Sequence, residues 1–397
     1  MKQQTIKQHF PALASGFSFL DNAAGAQVPR ACIEGITNFL ESASCNIGMP
    51  YAGSQLSTSV RDQTRIETAE FFGCKPEEVV LGPSATALTF RLSTAFSRLF
   101  KAGDEIIISE LEHECNASPW RELERIGCSI KIWRATWSEG KLELTQLEKL
   151  LSSKTRLLAI TGAANSLGNR PDVTGATTLA HSVGAWVVND LVHDSPHHLP
   201  DVTKTNVDFA FFSAYKVFGT HLGFMYIRHS LLEQLPAQKL HFIPDDSLLK
   251  FEPGTNNYEG MAGWLGTLSY LRQELGDGLS GRAGLARAYE TIEKIEKPLL
   301  EYALERIKNL PNAILYGEPS SQNRVGTFCY NIGNANPMEV VKYLGEQGVG
   351  VAGGHYYAML PMTALGLYPS GAIRTSIAHY TDQSDLDKLF DALEEKD

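Results

Sequence analysis

Residues 185–216 read AWVVNDLVHDSPHHLPDVTKTNVDFAFFSAYK, and the two ends of this stretch decide the fold. AWVVND (185–190) and DFAFFSA (208–214) are short, β-rich and apolar almost without interruption. A strand with one wet face alternates apolar and polar residues, whereas a strand covered on both faces need not. The same continuous pattern recurs in EIIIS (105–109), RLLAIT (156–161) and GFMYIR (223–228). Helix-length segments lie between these runs, for example from Asp172 to Val183, and can serve as crossovers. Strands alternating with helices predict an α/β fold, with a doubly wound, mostly parallel sheet over roughly residues 55–255.

Further along, the pattern changes. A helical periodicity from about Gly281 to Leu310 leads to a strand at Thr327–Ile332 and a helix from Pro337 to Gln347. A strand at Ala372–His379 and a helix from about Ser384 to Glu395 follow, with Ser384 and Asp387 spaced as a capping pair. This is an α+β arrangement. The expected division is an N-terminal segment (1–54) packing on the small domain and active site, a large domain (55–270) and a smaller C-terminal domain (271–397).

Composition excludes several function classes. The chain has 397 residues, 43% of them hydrophobic and 20% charged, which is ordinary globular usage and ample for a sizeable core. Thirty-five basic against 45 acidic residues leave a formal charge of −10 and no basic block, a poor match to nucleic acid or an anionic membrane. No apolar run approaches the roughly 20 residues that span a bilayer. The first residues lack the apolar core of a signal peptide. Six cysteines (Cys32, Cys45, Cys74, Cys115, Cys128, Cys329) are scattered without a C-x-x-C pair, as expected for reduced thiols in a cytoplasmic protein.

Open α/β sheets bind ligands at the carboxyl ends of their strands. Asp190 ends one strand and Lys216 follows another, 26 residues on. Taken singly, Asp190 reads as a cap or turn residue and Lys216 as a solvated lysine. However, the apolar and aromatic neighbours of Lys216 favour a desolvated amine, which has a lowered pKa and can act as nucleophile or base. A lysine and a strand-end acid together suggest pyridoxal phosphate, which needs a Schiff-base lysine and a carboxylate beside its ring nitrogen. A phosphate cradle is available in VVLGPSATALTF (79–90), where Ser84, Ala85 and Thr86 open a helix after a strand and a Gly-Pro turn. A lone Ser there would be only a cap.

The order of motifs resembles the class V aminotransferase family of pyridoxal phosphate enzymes, and within it the cysteine desulfurases. The likeness runs from FLDNAAGAQVP (19–29) to RTSIAHYT (374–381). It implies the large pyridoxal phosphate-dependent transferase fold (fold type I). SAYK (213–216) resembles Ser-x-His-Lys, implying Lys216 as the Schiff-base lysine and Ser213 and Tyr215 at the phosphate. VVND (187–190) implies Asp190 at the ring nitrogen, and EHECNASPW (112–120) implies His113 stacked on the ring. AANSLG (163–168) implies Asn165 near the ring hydroxyl, with His193 beside it. FEPGTNN (251–257) resembles a segment that crosses a homodimer, so Thr255 is expected at the partner's phosphate. Arg374 is expected to clamp the substrate's α-carboxylate, with Ala24, Asn165 and Tyr357 also facing substrate. The cluster His193, Asp194, His197 and His198 raises a metal site, but no further ligand spacing supports one, and none is expected.

The loop GVAGGHYYAMLPM (350–362) departs from the family. Tyr357 stands where the resemblance places the sulfur-accepting cysteine, and the loop contains no cysteine. A phenol cannot form a persulfide. Thr86 replaces a common Glu, and Tyr215 a His. The expectation is β-elimination from a cysteine-derived amino acid. Epimerisation and transamination compete with it, and a non-catalytic sulfur-transfer partner or a metal-dependent hydrolase at the histidine cluster stands further off.

Overall fold

The computed structural model describes residues 3–137 and 139–395. Seven strands build the principal sheet: β1 (Val79–Gly82), β2 (Glu105–Ser109), β3 (Ser129–Trp133), β4 (Thr155–Thr161), β5 (Trp186–Asp190), β6 (Phe209–Ser213) and β7 (Gly223–Ile227). Their order is β1-β7-β6-β5-β4-β2-β3. Only β7 runs against the others, pairing antiparallel with β6 on one side and β1 on the other.

The helices that matter here are α1 (Arg30–Ser42), α2 (Ala52–Phe72), α3 (Ala85–Phe96), α4 (Val173–Ser182), α5 (Tyr258–Tyr270), α6 (Gly281–Asn309), α7 (Pro337–Glu346) and α8 (Gln383–Glu395). Both faces of the sheet are covered. Ile107, Leu158, Val187 and Phe212 join one core with α4 and α5, while Ile106, Leu157, Val188 and Phe211 join another with α3. Alternate residues of one strand therefore enter different cores, which is why these strands read as continuous apolar runs. Burying one such side chain contributes about 1.5–3 kcal/mol.

The C-terminal part carries a four-stranded antiparallel sheet of β8 (Ala313–Tyr316), β9 (Thr327–Ile332), β10 (Ala352–Gly354) and β11 (Ala372–Ser376), in the order β10-β11-β9-β8. Phe328, Tyr330, Leu344, Leu389 and Phe390 form its core with residues of α6. Leu20 enters the same core, and Ser18–Phe19 pair in parallel with Val349–Gly350.

Two sequence expectations differ from this structure. The cap of α8 is Asp382, not Ser384: Asp382 Oδ1 accepts from Asp385 N at 3.2 Å and Asp385 Oδ2 accepts from Asp382 N at 3.0 Å. Asp387 instead accepts from Tyr302 on α6. Strands β3, β8 and β10 were not anticipated. β3 is a half-buried edge strand whose Lys131 pairs with Glu105 at 2.7 Å, so its pattern is too polar to resemble its neighbours.

Candidate active site

The carboxyl ends of β4, β5 and β6 lie side by side, with Thr161 opposite Asp190 and Asp190 opposite Phe211. Ser213 faces Gly223, and Gly82 faces Gly223 from the other side, so α3 starts at the same edge. A Cβ on Gly223 would lie 2.2 Å from Ser84 C and 2.4 Å from Ala85 N; the side-chain-free residue lets the first turn of α3 settle onto the strand ends. A cavity opens there, lined by Ala85, Thr86, His113, Asn165, Asp190, His193, Ser213, Tyr215 and Lys216. Cys115, Thr161, Ala163 and Val192 complete the wall. Ser84 stays just outside it, its hydroxyl accepting from Ala87 N at 3.1 Å as the cap of α3.

Lys216 Nζ donates to the Ala23 carbonyl and lies 5.3 Å from the centre of the Tyr215 ring. Burial and the nearby Arg374 guanidinium push its pKa down to about 7. Asp190 is 3% exposed, and burial raises its carboxyl to about 6. Its Oδ1 accepts from Val192 N at 2.8 Å and its Oδ2 from Cys115 Sγ at 3.3 Å. His113 Nδ1 accepts from Cys115 N at 3.0 Å, which leaves the ring proton on Nε2. Burial, with Lys216 and Arg374 nearby, lowers the His113 pKa to about 4, so the ring is neutral near pH 7.

Polar atoms are left without partners around this cavity. Asn165 Oδ1, His193 Nδ1 and Arg374 Nε are buried and make no hydrogen bond. Asn165 Nδ2 donates to the Tyr356 carbonyl at 2.9 Å, and His193 Nε2 lies 2.9 Å from Thr327 Oγ1 on β9. An unpaired buried polar atom costs about 1–3 kcal/mol, so such a cluster marks a place for a polar ligand. Arg374 is 3% exposed, with Nη1 on the Asn165 carbonyl at 3.1 Å and Nη2 on Asp21 Oδ1 at 2.8 Å.

Tyr357 is 67% exposed, on the solvent side of His113, with ring centres 5.8 Å apart. Tyr356 and Tyr357 have φ of +52° and +56°, a strained conformation for residues other than glycine. Three contacts hold it. Glu114 N donates to the Tyr357 carbonyl at 2.8 Å, Asn165 holds the Tyr356 carbonyl, and the Tyr356 hydroxyl donates to Ala372 O. Ala24 is exposed beside Ala23, while Thr255 is exposed and is not among the residues lining this cavity.

The histidine cluster disperses to separate partners. His197 pairs with Glu296 at 2.7 Å, and His198 and Arg170 both pair with Asp194. Among the described residues no group of three or more His, Cys, Asp or Glu is arranged to hold a metal. A larger polar groove of about 960 Å³, lined by residues 139–145 and 170–174, contains neither Lys216 nor Asp190.

Residues 18–389 match the Aminotransferase class-V family. The chain belongs to that family. A cysteine desulfurase of Escherichia coli O9:H4 is 30% identical over 98% of this chain and 97% of its own length. The aminotransferase-like protein FGM3 of Gibberella zeae is 29% identical over the same shares. Among solved structures, the apo cysteine desulfurase of Thermococcus onnurineus NA1 superposes with a TM-score of 0.89 at 24% identity, covering 99% of this chain and 97% of that one. The cysteine desulfurase CsdA of Escherichia coli gives 0.85 at 24% identity, covering 100% and 98%. This class V chain therefore has the large pyridoxal phosphate-dependent transferase fold, fold type I. Sequence reasoning missed two residues of its site, Cys115 and Asp21. Asp21 lay within a quoted motif, but nothing in its surroundings signalled the pairing with Arg374, 353 residues away.

Proposed function

We propose that this chain catalyses β-elimination on a cysteine-derived amino acid, releasing a sulfur-bearing leaving group from Cβ without forming a protein persulfide. It is a pyridoxal 5'-phosphate-dependent, cysteine desulfurase-like enzyme of the class V family. The residues present fit that cofactor: unpartnered Asn165 Oδ1 and His193 Nδ1 line the same cavity as a buried carboxylate, a desolvated lysine and a helix start. When bound, the cofactor supplies an electron sink for the pair left at Cα by proton loss.

The phosphate would rest on Ala85, Thr86, Ser213 and Tyr215, where free N–H groups at the start of α3 favour an anion. Asp190 would hold a proton at the ring nitrogen, His113 would stack on the ring, and Asn165 and His193 would hold the ring hydroxyl. Lys216, neutral above about pH 7, would hold the cofactor by its amine and would serve as base toward the Cα proton. Arg374 offers Nε and part of its fork to the α-carboxylate. Removal of the proton and departure of the sulfur group with its bonding pair give an enamine that hydrolyses to pyruvate and ammonia. A cytoplasmic homodimer, with Thr255 of each subunit at the other's site, completes the reading.

One observation carries the choice of elimination: the residue beside His113 in the 355–358 loop is Tyr357, and the loop holds no thiol. The cavity's cysteine, Cys115, is occupied with Asp190, and burial keeps its thiol protonated. The test is to incubate the enzyme with cysteine sulfoxides and cysteine S-conjugates and to measure pyruvate. Stoichiometric pyruvate and ammonia are expected. Retention of the amino acid, or transfer of its amino group to an added keto acid, would contradict elimination.

A further inference from the structure

Cys115 is a buried cysteine of the cavity wall, and two of its atoms address two groups that line the cavity, Asp190 and His113. Its Sγ is 3.3 Å from Asp190 Oδ2, and its backbone N–H donates to His113 Nδ1 at 3.0 Å. The residue is 6% exposed and forms part of the cavity wall beside the unpartnered Asn165 and His193. Asp190 otherwise receives one donor, Val192 N–H, so the thiol supplies half of the hydrogen bonding to a buried carboxylate.

We propose that Cys115 is a positioning residue, whose thiol hydrogen keeps Asp190 ionised and aimed at the cofactor's ring nitrogen. This rests on the cofactor assignment above and is independent of the reaction that follows. A carboxylate oxygen has lone pairs for both the thiol and a protonated ring nitrogen. A donor on the charged form stabilises it against protonation. Without that donor Asp190 takes up a proton at higher pH, and a protonated acid cannot hold a protonated ring nitrogen. The other charged or titratable groups acting on this corner are Lys216, Tyr215 and Glu112, the last buried and bonded to Ser109 and Asn116.

The experiment compares Cys115→Ala, Cys115→Val and Cys115→Ser apoproteins with wild type, titrating each with pyridoxal 5'-phosphate from pH 5 to 9. The alanine and valine variants should bind about fivefold more weakly at pH 7, a modest loss in keeping with a weak donor to a charged group. Their affinity should fall off on the acid side at a higher pH than wild type. Serine, which restores a donor, should stay within about twofold of wild type. Packing alone would let valine bind like wild type, and that result overturns the proposal, as would serine impaired as much as alanine. If alanine does not fold, valine and serine still decide between a donor and a filler. Wild type failing to take up the cofactor would instead overturn the cofactor assignment, and the proposal with it.

Discussion

Lys216 sits between groups that act on it in opposite senses: Arg374 and burial lower its pKa, and Asp21 raises it. Attachment of a cofactor aldehyde needs the neutral amine. The rate at which the apoprotein captures pyridoxal 5'-phosphate should therefore rise with pH and level off above a midpoint near 7, not near the ordinary lysine value of 10.5. Stopped-flow absorbance checks this, and Lys216→Ala should abolish both the absorbance change and turnover. Removing the positive neighbour in Arg374→Ala favours the charged amine, so the same midpoint should move up. That variant should also raise KM for substrates with an α-carboxylate roughly tenfold to a hundredfold, the range for hydrogen bonds to charged groups. Asp21→Asn should move the midpoint down, because it removes a carboxylate that favours the charged lysine. Lys216 and Asp190 were legible in the sequence because each follows an apolar strand with an abrupt change of chemistry. Cys115 and Asp21 were not, because their roles exist only through contacts across 75 and 353 residues of chain.

At the scale of elements, legibility followed burial. Strands β2, β4, β5, β6 and β7 announce themselves because both faces are dry, and the helix at 173–182 matches its expected span within a residue at each end. The edge strand β3 and the short β8 and β10 carry half-buried or glycine-containing patterns that resemble loops. The α8 cap shifted by two residues because Asp382 and Asp385 bond each other's backbone N–H, a reciprocity that the nearby Ser384 and Asp387, at the same spacing, disguise. The approach of β7 to α3 gives a prediction at this scale. Gly223→Ala places a methyl group against the backbone of Ser84 and Ala85, neither of which can yield without moving the first turn of α3. Cofactor affinity should fall about tenfold or more while far-ultraviolet circular dichroism stays unchanged, a separation that equilibrium titration and spectroscopy together would reveal.

For the whole molecule, the large and small sheets meet at the site through Arg374 and Thr327 on one side and Asn165 and His193 on the other. Thr255 is exposed, and Met49, Tyr51, Leu240, Phe242 and Leu249 also leave large apolar side chains in solvent. The proposed homodimer would bring a second copy of the chain over Thr255. If Thr255 serves the partner's cofactor, a mixed dimer of Lys216→Ala and Thr255→Ala chains has one site with both lesions and one with neither. Mixing the two variants should then create intact sites with wild-type cofactor affinity, whereas action within one subunit would create none.

The proposed reaction couples Cα deprotonation to loss of the Cβ substituent. It is tested by mass spectrometry of products formed in heavy water from cysteine sulfoxides, cysteine S-conjugates and common amino acids. Elimination predicts pyruvate carrying deuterium at its methyl group, with ammonia and a released sulfur fragment. Recovery of the intact amino acid with deuterium at Cα and inverted configuration would contradict it.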